Sequence, residues 1–127
     1  MYDVCAEPLT ASEDLSRRLQ AARDAAVAAN AELRTIRERA LHTQADERLV
    51  AACSAAIAEN DSAIAACDAA VLQAIVDRLD LQAFLAALEL QTNEIEAVTA
   101  ALAGPEDQLE KVRAAARAAT ELVGLLL

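Results

Sequence analysis

The sequence has very few residues that break helices, and very few aromatic residues. It contains two glycines and two prolines, and aromatic residues make up 2% of the chain. Sheet proteins need glycine and proline for their turns, and they are rich in β-branched and aromatic residues. In contrast, 34 of the 127 residues are alanine, which has the highest helix propensity. The composition therefore predicts an all-α protein, long enough to bury one hydrophobic core.

Basic residues are also scarce. The chain has 11 Lys and Arg against 21 Asp and Glu, for a net charge of −10. The excess of acid is concentrated in residues 44–103, which carry ten acids and two bases. Proteins that bind a phosphate backbone cluster Lys and Arg on one face, so direct nucleic-acid binding is not expected. An acidic face can instead attract a basic partner, or simply keep the protein soluble.

Long apolar runs are missing. No stretch approaches the roughly 18 uncharged apolar residues of a membrane-spanning helix, and the first eight residues lack the pattern of a signal peptide. Cys53 and Cys67 would lie about 21 Å apart on one helix, too far to form a disulfide, and Cys5 leaves the cysteine number odd. We expect reduced thiols in a cytoplasmic protein. Many arginines and alanines with one lysine suggest a bacterial source.

The side chains that most enzymes use are nearly absent. His42 is the only histidine, and neither Cys53 nor Cys67 has a second Cys or His at helical neighbour spacing. A metal site needs several converging ligands, and a ferritin-like site needs two Glu-x-x-His motifs. The sequence contains no recognisable glycine-rich phosphate loop or nucleophile–base pair. We therefore expect no enzyme activity, no cofactor and no metal.

The sequence does contain a heptad pattern. Core positions recur alternately three and four residues apart from Val50 to Ala74, and the same rhythm runs from Leu15 to Ala40. This spacing is typical of helices packed along their length. Because few residues separate the two stretches, we expect an antiparallel hairpin over residues 10–79.

The hairpin also has a predicted register. Core partners whose residue numbers sum to 93 place large side chains opposite small ones in most layers. The same register forms two ion pairs, Arg23 with Asp68 and Arg18 with Asp77. Asn60 then lies in the seam opposite Leu33, where a polar residue typically sets register and partner number at the expense of stability. We therefore expect Asn60 to be register-setting, with Asn30 and Asp61 extending the polar layer.

Capping signals divide the chain into four helices after an N-terminal arm of residues 1–9. The predicted caps are the capping box Thr10-x-x-Glu13, Thr43 or Asp46, Asp80, and the stop Gly104-Pro105. The first three helices are predicted at about 11–41, 45–79 and 81–103. The fourth is predicted to have Pro105 as its first residue, with Glu106 and Asp107 in its first turn, where the helix dipole favours acids.

Two architectures satisfy this pattern. In the favoured one, residues 1–127 form a single domain in which a second, shorter hairpin of residues 80–127 packs on the first as an antiparallel four-helix bundle. In the alternative, the second and third helices are one continuous rod, which makes the molecule elongated. The bundle buries more apolar surface, and Phe84, Leu85, Leu88 and Leu90 cover too wide an arc for a two-helix seam.

The C-terminal turn is the candidate interaction site. It is more apolar than a single helix–helix seam can bury, so either the bundle surrounds it or a partner covers it. Its candidate contact residues are Leu122, Val123, Leu125, Leu126 and Leu127. We expect a non-enzymatic scaffold or adaptor that binds a protein partner or forms a homo-oligomer through apolar helix faces. The alternative is an acidic inhibitor or decoy that occupies a basic site on another protein.

Overall fold

Four α-helices dominate the computed structural model, which describes residues 11–44, 46–72, 81–104 and 106–126. The elements in chain order are α1 (Ala11–Arg39), a π-helical turn (Ala40–Gln44), α2 (Glu47–Leu72), α3 (Leu81–Ala101) and α4 (Gln108–Leu126). The described ranges contain no strand. The predicted all-α fold is confirmed.

The helices pack as a four-helix bundle with a square cross-section, built from the antiparallel pairs α1–α2 and α3–α4. α1 packs on α2 and α3, and α4 packs on α2 and α3. α2 and α3 lie on one diagonal with no contact between their described residues, and α1 and α4 touch only lightly across the other. Since consecutive helices run in opposite directions, α1 is parallel to α3, and α2 is parallel to α4. The bundle is therefore the observed architecture, and the elongated alternative is not.

Two clusters of buried residues fill the bundle. The lower core lies where α1 and α3 begin, around Leu19, Phe84 and Leu122. The upper core lies near the π-helical turn, around Leu33, Leu102 and Val112. Alanine is the commonest residue of the lower core. Such small side chains let the helices approach closely, which is how this core excludes water with few large residues.

Each helix buries a wider arc than its predicted seam. On α2 the predicted positions Cys53, Ile57 and Cys67 are buried, but so are Ala56 and Ala63, which lie on a neighbouring stripe. The reason is geometric: a bundle helix contacts two neighbours, whereas a heptad seam describes contact with one. The second stripe faces α4.

Side-chain pairs support the predicted α1–α2 register. Nε of Arg23 is 2.9 Å from Oδ1 of Asp68, which confirms the predicted ion pair. Nδ2 of Asn30 donates a hydrogen bond to Oδ1 of Asp61 at 2.9 Å. The predicted partner of Arg18, Asp77, lies outside the described residues. Arg18 binds Asp14, Glu89 and the backbone carbonyl of Leu85, which ties α1 to α3.

The helix starts are partly as predicted. Oδ1 of Asp46 accepts hydrogen bonds from the backbone N–H groups of Arg48 and Leu49 at 3.1 and 3.2 Å, so Asp46 is the N-cap of α2. The caps predicted at Thr10 and Asp80 lie outside the described residues. The predicted start of the fourth helix is wrong: α4 begins at Gln108.

A left-handed residue explains the late start of α4. Asp107 has φ 53°, a conformation that Asp tolerates better than most residues but that a right-handed helix cannot contain. Glu106 and Asp107 therefore form a turn before the helix rather than its first turn. The carbonyl of Asp107 accepts the backbone N–H of Lys111 at 3.0 Å, which makes Asp107 the residue from which α4 is initiated.

Candidate interaction surface

The C-terminal turn packs into the bundle. Leu122 is 0% exposed and Leu126 is 8% exposed, and both belong to the lower core. Val123 and Leu125 are half-buried against the same cluster, and Leu127 lies outside the described residues. Because α2 and α3 both pack on α4, Leu122 faces the core as well, and the side chains of Leu122 and Leu126 are not available to a partner.

Asn60 lies in the core where the heptad pattern puts it. It is 1% exposed, and its Nδ2 donates to the carbonyl of Ala56 at 3.2 Å within its own helix. Asn30 on α1 is 2% exposed. The Oδ1 atoms of both residues are buried and have no hydrogen-bond partner among the described residues. The two carboxamides are thus a costly polar feature in an otherwise apolar interior.

The cysteines and the histidine have structural surroundings. Burial is the main cause that raises the pKa of the Cys67 thiol to about 11, with a further contribution from the Asp68 carboxylate. Burial also raises the pKa of the Cys53 thiol. A raised pKa disfavours the thiolate, which is the reactive form. His42 is exposed in the π-helical turn that follows α1, where its Nε2 is 2.8 Å from Oε1 of Glu38. Within the described ranges, no group of three or more His, Cys, Asp or Glu could hold a metal.

Besides the two buried stripes, an exposed stripe with heptad spacing runs along the outer face of α2, and we call it the outer stripe. It consists of exposed residues that are all alanine or serine: Ala51, Ala55, Ala58, Ser62, Ala65 and Ala69. Their spacing alternates between four and three, as in the buried seam of the same helix. The outer stripe was missed at sequence level because alanine occurs equally on buried and exposed faces of this chain.

A groove with a basic rim lies between α2 and α4. Its floor is alanine, with Ala52 and Ala116 between the two helices. Three arginines, Arg48, Arg113 and Arg117, line it, and no acid lines it. None of the three forms a side-chain ion pair within the described part of the chain. We call this surface the basic groove.

A groove with an acidic rim lies between α1 and α3. Ala21, Ala25 and Ala28 form its floor, and Asp24 and Glu96 are its charged residues. Neither carboxylate has an ion-pair partner among the residues that the structure describes, although Asp24 accepts a hydrogen bond from Gln20 at 2.8 Å. We call this surface the acidic groove.

The acids that the structure describes within residues 44–103 do not form one face. They are divided between α2 and α3, which lie on a diagonal of the bundle. Several are engaged with neighbouring helices, namely Glu59 with Thr120, Asp68 with Arg23, and Glu89 with Arg18. Those on the α3 surface that remain unpaired in the described chain are Glu94 and Glu96.

One segment of the described chain, Glu47–Ala70 within α2, is long and apolar enough by length and composition to cross a membrane. The core helix of a soluble bundle passes the same test, so this is weak evidence. The predicted absence of a membrane span stays a prediction.

Comparison of the chain with protein-family models, curated proteins and solved structures returned no match. The surfaces described above are therefore the basis on which a function is proposed.

Proposed function

We propose that this protein is a non-enzymatic helical interaction protein of the bacterial cytoplasm, which binds another protein or a second copy of itself through an outer helix face. The observation that carries the proposal is the exposed outer stripe of α2, together with the basic groove that begins at Ala51 and Ala55. A helix with apolar residues on both faces is typical of a helix that packs on both sides.

Small side chains make this face suited to a helical partner. Alanine loses no rotamer freedom when it is covered, and it lets two helix backbones approach closely. The arginines at the edge of the groove add planar, bidentate donors, which orient an acidic partner. Apolar contact along the stripe would therefore supply area, and the arginines would supply direction.

An acidic inhibitor or decoy is the second candidate, and it rests on the charge of residues 44–103. The division of those acids between α2 and α3 gives it less support, because a decoy of a basic site needs its carboxylates on one face. If the decoy proposal is correct, its affinity falls steeply with salt, since complementary charges are screened. An affinity that is equal at low and high ionic strength would reject it.

The interaction proposal is tested by capture with matched baits. The bait protein is immobilised and exposed to lysate of its native cells, and its own oligomeric state is measured by light scattering. Ala55→Glu places a charge where the outer stripe meets the basic groove, and Ala31→Glu makes the same change on the exposed surface of α1. We expect the first variant to lose its partner, whether another protein or a second copy, and the second variant to keep it.

Two outcomes contradict the proposal. A protein that is strictly monomeric and captures nothing has no interaction surface to assign. A partner that binds both variants equally well uses a different face of the molecule.

A further inference from the structure

The basic and acidic grooves lie on opposite faces of the bundle. The basic groove lies between α2 and α4, and the acidic groove lies between α1 and α3. In the square arrangement these two pairs of helices form opposite edges. Each groove therefore lies between two parallel helices, has a floor of alanine, and carries charge of one sign at its rim.

The charged side chains at both rims form no ion pairs within the described chain. Arg113 and Arg117 are exposed and one helical turn apart on α4, and neither has an ion-pair partner there. Asp24 and Glu96 are exposed across the acidic groove from one another. Arg17, Arg18 and Arg23 near the start of α1, by contrast, all bind carboxylates. In a chain with 21 acids and 11 bases, three arginines and no acid around one groove are a local excess of positive charge.

We infer that the chain self-associates head to tail, with the basic groove of one copy on the acidic groove of the next. This inference rests on the proposed interaction function and names its partner. Arg113 and Arg117 of one copy would donate to Asp24 and Glu96 of the other, and the alanine floors would allow the two pairs of helices to come close. The contact uses two different surfaces, so a pair of copies still has one free groove at each end. Such a heterologous contact closes into a ring only if its rotation closes, and otherwise extends as an open chain.

The grooves are also offset along the bundle. The hydrogen bond from Arg37 to Ser54 shows that the basic groove lies at the level of Arg37 on α1, whereas the acidic groove is centred near Ala25. Twelve residues of helix correspond to about 18 Å. Successive copies are therefore staggered along the helix axes as well as stacked, which favours an open, extended assembly over a compact ring.

The experiment uses two complementary charge reversals in the full chain. In one variant the basic groove is made acidic by Arg113→Glu with Arg117→Glu. In the other the acidic groove is made basic by Asp24→Arg with Glu96→Arg. All four side chains are exposed, so both variants are expected to keep the circular dichroism spectrum and melting of the parent. Arg34→Glu, at an exposed α1 arginine with no ion-pair partner in the described chain, is the control for a charge reversal outside the two grooves.

We expect the mixture of the two double variants to associate, although neither variant associates alone. The parent and the Arg34→Glu control should associate, as measured by sedimentation velocity, and the association should weaken with salt. Each double variant alone should be monomeric, with association weakened by about 100-fold or more, because its two grooves carry like charge. An equimolar mixture of the two double variants should associate again, since every contact between unlike copies then joins opposite charges.

Other results overturn the inference and separate it from the proposed function. A parent that is monomeric but captures a partner through the outer stripe of α2 leaves the interaction function standing and rejects self-association. A parent that associates equally well after both reversals uses other surfaces. A mixture that stays monomeric, although each variant is folded, rejects the pairing of these two grooves.

Discussion

Replacing Asn60 with leucine should make the protein more stable. The carbonyl oxygen of Asn60 is buried without a hydrogen-bond partner in the described structure, which costs about 1–3 kcal/mol. Its Nδ2 donates to the carbonyl of Ala56, which already accepts a backbone hydrogen bond in the helix, so little is lost when that donor is removed. Leucine is larger than asparagine, so it introduces packing strain of about 1–3 kcal/mol, which the burial of its apolar side chain, about 1.5–3 kcal/mol, roughly cancels.

The balance is a gain of about 1–2 kcal/mol in the free energy of unfolding, or a rise of roughly 3–8 °C in Tm. Urea and thermal unfolding followed by circular dichroism measure both quantities. Asn93→Leu is the matched control, because Asn93 is exposed on α3 and surface substitutions usually stay within about 0.5 kcal/mol of the parent. Asn60→Asp should be strongly destabilising, because it buries a charge.

An Asn60→Leu variant no more stable than the parent would refute this reasoning, and with it the placement of Asn60 in the α1–α2 seam. The gain in stability should be accompanied by lower specificity, since a buried polar residue favours one register over its alternatives. Sedimentation of the variant would show this as a mixture of oligomeric states. A double-mutant cycle with Asn30→Leu measures whether the two carboxamides act together, and coupling above about 0.5 kcal/mol would show that they do.

Three further predictions test the core and the C-terminal turn. Removing the residues after Thr120 deletes the buried Leu122 and Leu126. The free energy of unfolding should fall by several kcal/mol, judged from about 2–5 kcal/mol per large core side chain, so circular dichroism should show an unfolded protein. A truncated protein that stays folded would show that the lower core does not need this turn. Gly124→Ala should raise the free energy of unfolding by about 1 kcal/mol, because alanine favours the helix more than glycine does and the added Cβ meets nothing within 4 Å. An unchanged or lower free energy of unfolding would mean that this position is covered in the native protein. Burial raises the pKa of the Cys67 thiol to about 11. The stabilisation from this thiol should be complete below pH 9 and should be lost as the pH rises from 9 to 11, because the thiol of the unfolded chain deprotonates first. The stability difference between Cys67→Ala and the parent should therefore shrink over that range, and a difference independent of pH would contradict the burial of this thiol.

The helices and the pairing within the first hairpin could be read from the sequence. Large apolar residues at heptad spacing mark the faces that meet, and Arg23 with Asp68 confirms the register. The start of α4 could not be read, because the left-handed conformation of Asp107 has no signal beyond a residue type that tolerates it.

The candidate surface could not be predicted from the sequence, for a different reason. Ala56 and Ala63 are buried on α2 while Ala51 and Ala58 are exposed on the same helix, so residue type carries no information about burial there. Each groove also needs two helices that are not consecutive in the chain. Which of these helices become neighbours is decided by how the two hairpins dock, and an alanine-rich face leaves that choice unmarked.

The abundance of alanine in the core reverses the usual pattern of mutational tolerance. In most proteins the damaging core substitutions remove atoms and leave a cavity. Here Ala22, Ala26, Ala63 and Ala119 are all 0% exposed at helix contacts, where even one or two added methylenes must push backbones apart. Each enlargement should cost about 1–3 kcal/mol or more. Natural variation at these positions should therefore be restricted to alanine, glycine and serine, and large residues should be allowed to change mainly at the few sites, such as Leu33 and Leu88, that already hold them.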